Sequence, residues 1–178
     1  MGNHTFKAAL LLVITSTVTA CGDEHVAAPT RASAVEEPHA SVNGSPRDRD
    51  AIQQIVDTFD RTWGVDAATY AAQYADADFV GPTGANLTTA AQILQLYTSI
   101  FPVFAGTTRT SQIRALTFLT GTIAVLDIDT RVSGALPPFV TPWQPNTLRA
   151  LEKNILVKRG GEWRIVQHQQ TAVAPGIP

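Results

Sequence analysis

After Gly106 the apolar residues of this chain change their repeat, and that change narrows the class of fold open to it. Before that point they recur every three or four residues; beyond it they alternate. Ile52, Ile55, Val56, Phe59 and Trp63 form a helical stripe, behind a start signal of Ser45 at the N-cap, Pro46 in the first turn and Asp48 two residues on. Gly64 ends this helix, and Asp66 caps a shorter one whose apolar side is Ala67, Tyr70, Ala71 and Tyr74. Asp78-Phe79-Val80 reads as a short strand, broken by the turn residues Gly81-Pro82-Thr83-Gly84. A capping box over Thr89 to Gln92 opens a third helix with Ile93, Leu94, Tyr97, Ile100 and Phe101 on one face, which stops at Pro102.

In the alternating half, residues 111–119 and 122–133 read as strands paired around Thr120-Gly121. Residues 147–159 and 162–173 form a hairpin closed by Gly160-Gly161, a strong two-residue turn signal. Between these pairs lies a proline-rich loop, residues 134–146, carrying Phe139 and Trp143. Helices followed by strands argue an α+β domain, with three N-terminal helices packed on one face of a curved antiparallel sheet. The domain is expected over residues 46–174, long enough to bury roughly two-thirds of its unfolded surface.

The chain has 178 residues, with 13 Lys and Arg against 15 Asp and Glu. Without a basic excess to neutralise phosphates, nucleic acid is not an expected partner. The single cysteine excludes an internal disulfide and a Cys-based zinc cluster, and neither metal nor cofactor is expected. That cysteine sits where it carries meaning. Polar residues to Lys7, an unbroken apolar run from Ala8 to Ile14 and small residues to Ala20 have the layout of a secretory signal. Val18-Thr19-Ala20-Cys21 resembles the bacterial lipobox, which implies acylation at Cys21 after removal of residues 1–20 as a lipoprotein signal peptide. Residues 21–45 then read as a flexible tether, and the expected address is the bacterial cell envelope, facing periplasm or exterior. The plainer reading makes Cys21 an ordinary small residue near a cleavage site.

Candidate chemistry collects at one end of the expected sheet. One face of the second long strand runs from Ile123 and Val125 to Asp127, Asp129 and Arg131, while Ala124, Leu126, Ile128 and Val132 keep the other face apolar. In the last strand Trp163 and Ile165 give way to Gln167, Gln169 and Thr171, and Val166 gives way to His168 and Gln170. With one antiparallel strand between them, these two strands run the same way. Their polar ends therefore meet beside Arg149, Glu152 and Asn154, as at a pocket mouth. The candidate acid and base groups are Asp78, Asp129 and His168; Trp63, Tyr74, Tyr97, Arg131, Trp143 and Gln170 are candidate pocket residues. Each has a plainer reading: Asp129 and Arg131 as a solvated or dimer-facing surface, His168 as a structural histidine, Asp76 as a cap, and the aromatic residues as core.

Trp63-Gly64-Val65-Asp66, Tyr74 to Val80, Gly84, the helix of Ile93, Tyr97 and Phe101, and the terminal Val157 to Val166 together resemble the SnoaL-like branch of the nuclear-transport-factor-2-like superfamily, and within it the SgcJ/EcaC-type group. The resemblance spans about residues 48–172. It implies a cone-shaped, cystatin-like fold with a pocket at its wide end and frequent dimerisation through the sheet. The superfamily includes steroid isomerases, polyketide cyclases, epoxide hydrolases and dehydratases, so the fold by itself does not choose a reaction. Limonene epoxide hydrolase, in the same superfamily, activates water with a carboxylate-Arg-carboxylate set, of which Asp129 and Arg131 reproduce one pair. Tyr97 stands where relatives often carry His, and Leu87-Thr88 where they carry Gly-Arg, so roles of those residues do not carry over. The leading expectation is a lipid-anchored envelope protein, homodimeric, binding a small apolar molecule in the cone. The alternatives are an enzyme doing isomerase, cyclase or hydrolase-type acid/base chemistry on a small carbonyl or epoxide compound, and a structural dimerisation module.

Overall fold

The structure, a computed structural model, describes residues 44–138 and 147–174. Along the chain run α1 (Pro46–Thr62), α2 (Ala67–Ala71), β1 (Tyr74–Val80), β2 (Asn86–Leu87), α3 (Ala90–Ile100), a single 3-10 turn (Phe101–Phe104), β3 (Thr107–Thr120), β4 (Ile123–Gly134), β5 (Thr147–Arg159) and β6 (Glu162–Ala172). The six strands form one open sheet in the order β2-β1-β6-β5-β4-β3. The four long strands make the expected antiparallel meander. β1 joins it in parallel, against β6. The whole meander separates those two strands in sequence, so no hairpin dictates their relative direction.

Helix α1 forms as its sequence demands. Ser45 accepts from the Asp48 backbone N–H at 3.1 Å, and Pro46 occupies a first-turn position where its missing N–H costs nothing. Its stripe of Ile52, Ile55, Val56 and Phe59 is buried against the inner face of the sheet, each such side chain contributing roughly 1.5–3 kcal/mol. The Thr89–Gln92 capping box is formed at α3. Several expectations differ from what is seen: β3 begins at Thr107 rather than at residue 111, β1 begins at Tyr74 rather than at Asp78, and β2 is not among the expected strands. Leu94, counted on the apolar stripe of α3, is exposed, and burial there falls to Ile93 and Tyr97. Tyr74 opens β1 rather than closing α2, because the Gln73 carbonyl already accepts the Ile165 N–H at 3.0 Å and draws the chain into the sheet.

Glycines matter at two turns. Gly160 and Gly161 have φ of 59° and 88°, the conformation a tight two-residue hairpin needs at both positions. At Gly134 a β-carbon would lie 2.8 Å from the Gly106 carbonyl oxygen, so the end of β4 approaches the start of β3 more closely than a side chain allows.

Polar side chains fasten the helices to the sheet. Near the start of α1, Asp48 accepts from Lys158 Nζ at 2.6 Å, Trp163 Nε1 at 2.9 Å and Ser45 Oγ at 2.7 Å. The Lys158 bond first, then those from Trp163 and Ser45, hold its carboxyl well below the usual carboxylate range. Near the end of α1, Asp60 accepts from Arg109 Nη1 at 3.0 Å. It also takes the Ser111 N–H at 2.8 Å and the Ser111 hydroxyl at 2.7 Å, which occupies a backbone donor on the edge strand β3. Arg109 is only 2% exposed, and its Nη2 donates to both Glu152 oxygens, at 3.0 and 3.1 Å, and to Thr130 Oγ1 at 3.1 Å.

Replacing Arg109 with Met leaves Glu152 buried without its counter-charge and is expected to cost about 3–5 kcal/mol in urea unfolding. The double variant Arg109→Met/Glu152→Leu should recover most of that loss; no recovery would mean that the ion pair is not the cause. For Asp48, whose carboxyl is depressed in the fold, the stabilisation is present above about pH 4 and is lost as pH falls toward the folded value. Asp48→Asn should therefore melt below wild type at neutral pH, with the two melting curves converging in acid.

Candidate functional site

The inner face of β5 and β6 carries polar residues where the rest of that face is apolar. Asn154 and His168 are directly opposed across the two strands. Asn154 is fully buried and His168 is 2% exposed. His168 Nδ1 lies 2.7 Å from Asn154 Oδ1, which makes Nδ1–H the donor and leaves Nε2 with a lone pair. Asn154 Nδ2 and His168 Nε2 are buried and have no hydrogen-bond partner among the described residues. Phe79 of β1 is paired with His168 in the parallel ladder and stacks on its ring at 4.5 Å and 18°. Tyr74 meets the same ring edge-on at 5.7 Å.

Other buried polar side chains belong to the same interior. Glu152 lies two residues before Asn154 on the same face and is held by Arg109. Tyr70, Tyr74 and Tyr97 are buried together; the Tyr70 and Tyr97 rings are 4.3 Å apart, and the Tyr74 and Tyr97 hydroxyls are 3.5 Å apart, long for a hydrogen bond. Burial keeps all three phenols protonated far into the alkaline range. Burial is the largest influence on the Glu152 carboxyl and would raise it, but the electrostatic pull of Arg109 and His168 and the hydrogen bonds from Thr130 and Arg109 together outweigh burial and hold it below the ordinary value. His168 goes the other way: burial pushes its imidazole down to about 4, against a smaller upward pull from Glu152. At neutral pH the site therefore presents an uncharged imidazole and intact phenol hydroxyls, beside a carboxylate already matched to a guanidinium.

The polar ends of β4 and β6 meet along the strands as expected, but their residues divide between the two faces differently from the expectation. Ile165 opposes Leu156 while Gln167 opposes Ile155, so Val166 is an extra residue in β6. That bulge reverses the alternation and moves His168 and Gln170 to the inner face with Trp163 and Ile165. Gln170 is half-buried opposite Glu152.

Asp129 and Arg131 lie on the outer face of the sheet, with Thr130 between them turned inward. Asp129 takes a two-pronged bond from Arg149, 2.8 Å at the closest, which holds its carboxyl below the ordinary range, and Arg131 approaches to 3.9 Å. Thr110, Ser111, Gln112, Asp129 and Arg131 line an open cleft of about 170 Å³. Asp78 is exposed and pairs with Gln167, on the opposite face of the sheet from His168. Asp76 caps α3, accepting the Ala90 N–H at 2.9 Å. The structure thus separates Asp78 and Asp129 from His168, because strand alternation sends them outward. Trp63 is half-buried; its Nε1 donates to Thr107 Oγ1 at 2.9 Å, and its ring packs on Tyr70, Phe101 and Phe104. Tyr74 and Tyr97 belong to the inner cluster. Trp143, Phe139 and Cys21 lie outside the described residues.

Three contributors were not among the expected site residues: Arg109, Asp60 and Phe79. An Arg just before the expected strand and an Asp on a helix look like surface residues, and only their meeting at the sheet edge makes Arg109 interior, with Asp60 half-buried above it. Among the described residues no group of three or more His, Cys, Asp or Glu side chains is placed to hold a metal ion, and no helix is long and apolar enough to cross a membrane.

No protein-family model and no curated protein sequence matches the chain. Solved structures do. A domain of unknown function with a cystatin-like fold from Nostoc punctiforme superposes with a TM-score of 0.63 at 22% identity, over 74% of this chain and 81% of that one. A ketosteroid isomerase-like protein from Erwinia carotovora atroseptica gives 0.57 at 14% identity, over 74% of this chain and all of its own length. An NTF-2 like protein of unknown function from Shewanella oneidensis gives 0.55 at 15%, over 70% and 98% of the two chains. The fold is therefore nuclear-transport-factor-2-like, or cystatin-like, with helices packed on a curved, open, mixed sheet.

His168 has an ordinary value near 6.5 in the unfolded chain and about 4 in the fold. Between those values the unfolded chain holds a proton that the folded chain does not. The folding equilibrium should therefore weaken by up to about tenfold per unit as pH falls through this window. Denaturant titrations from pH 7 to 4 should show a flatter dependence for His168→Gln than for wild type. Equal slopes would assign the dependence to another group.

Proposed function

We propose that this chain is a small-molecule-binding domain and that its binding site is the polar interior around His168, Asn154, Tyr74 and Tyr97. The observation that carries the reading is the pair of unpartnered buried atoms, Asn154 Nδ2 and His168 Nε2. A buried polar atom without a partner is costly, and ring-lined surroundings with a few convergent polar groups are typical of small-molecule sites. Binding is favoured over catalysis because an imidazole whose value is about 4 is a weak base near neutrality. The carboxylate beside it, Glu152, is already committed to Arg109. Native mass spectrometry of the full chain, expressed for export, should show one non-covalent ligand per chain, reduced or absent in His168→Phe. Wild-type protein that retains no small molecule and acquires none from a cell extract would overturn the reading.

The catalytic alternative draws on the same residues. His168 Nε2 would accept a proton and the Tyr97 hydroxyl would stabilise a developing oxyanion. The likeness to a ketosteroid isomerase-like protein bears on this alternative only through the fold.

Two further parts belong to the proposal. Acylation at Cys21 would hold the domain at the cell envelope; Cys21→Ala should then leave the membrane fraction and lose labelling by a fatty-acid probe. A homodimer would form through the outer face of the sheet, where half-buried Ile123, Val125, Ile155 and Val157 adjoin the Asp127–Lys153 and Asp129–Arg149 ion pairs. Val125→Glu should turn a dimer into a monomer in light scattering.

A further inference from the structure

The two unpartnered atoms differ in kind, and that difference describes what would satisfy them. With Asn154 Oδ1 accepting from His168 Nδ1–H, what remains is a donor, Asn154 Nδ2, and an acceptor, His168 Nε2, on residues directly opposed across β5 and β6. Turning the Asn154 amide over exchanges the roles: the amide then offers an acceptor and the ring an Nε2–H donor. Either way the pair offers one donor and one acceptor.

We propose that this interior site recognises the edge of an uncharged carboxamide or lactam, whose N–H and C=O meet the acceptor and donor left free on His168 and Asn154. The inference rests on the reading of the interior as a small-molecule site and names the chemistry of its occupant. Three observations support it. The groups around the pair have no charge to spare: Glu152 receives two bonds from one Arg109 nitrogen and a further one from Thr130, while the other terminal Arg109 nitrogen serves Asp60. A charged ligand would therefore be buried without a counter-ion, which is unfavourable. A wholly apolar ligand would leave both atoms unpaired, which is also costly. The pair's neighbours are aromatic, with Phe79 flat against one face of His168 and Tyr74 meeting the ring edge-on, which favours an aromatic partner.

Four probes of nearly the same size separate the possibilities on the full-length wild-type chain at pH 7: benzamide, toluene, benzoate and benzylammonium. Two matched hydrogen bonds should make benzamide bind at least about tenfold more tightly than toluene, with both ions weaker than toluene. The His168 ring nitrogen resonances should move with benzamide and stay in place with toluene. Asn154→Leu, where it folds, should abolish the benzamide advantage without weakening toluene; the ring-nitrogen measurement on wild type does not depend on that variant. Equal binding of benzamide and toluene would overturn the carboxamide inference while leaving the interior site intact. Tightest binding of either ion would overturn the requirement for an uncharged ligand and leave the interior site standing. Failure of all four to bind would overturn both readings.

Discussion

A single guanidinium holds the working parts of this domain together. Arg109 rises from the edge strand β3 into the interior, where it meets Asp60 of α1, Thr130 of β4 and Glu152 of β5. It also lies over the Phe59 ring at 5.2 Å. Taking a guanidinium out of water is expensive, and only a nearly complete set of acceptors makes the position tolerable. Once Arg109 is committed there, Asp60 must sit over the sheet edge, α1 must cross the inner face at a set height, and Glu152 must point inward. Asp48 performs the corresponding task at the start of α1, through Lys158 and Trp163. The helix is thus pinned near both ends by carboxylates, with its apolar stripe packed between them.

This arrangement decides what kind of site the interior is. Glu152, ionised and matched to Arg109, is removed from the set of free acids and bases. His168, stripped of water and given Asn154 rather than a carboxylate as its partner, stays neutral. Tyrosines at the same depth stay protonated. The result is a hydrogen-bonding interior rather than a charged one, better suited to selecting a neutral molecule than to moving protons at physiological pH.

Much of the architecture is legible in the residues. The stripe of α1, its Ser45 start, the capping box of α3 and the Gly160-Gly161 turn all rest on local physics, acting over a few residues, and appear where that physics puts them. The inward face of β4 follows from alternation. The site was legible only in part. His168 and Gln170 were visible as polar residues at one end of β6, but their face depended on the bulge at Val166, which has no local mark such as a glycine. Asp129 and Arg131, adjacent in alternation, admit two readings, a pair aimed at substrate or a solvated or dimer-facing surface, and the structure puts them on the outer face with Arg149. Arg109 gave no local sign of its burial.

The sequence by itself determined most of the elements, their order and the parity of most strands, because helix periodicity, caps and tight turns are set by near neighbours. Which polar residues became interior was decided by the tertiary structure. Burial of Arg109, Glu152, Asn154 and His168 depends on partners brought together across β3, β4, β5 and β6 and from α1, and on a bulge that shifts one strand by a residue. Such groups are tolerable inside only when their partners arrive together, and no local stretch of chain contains that information.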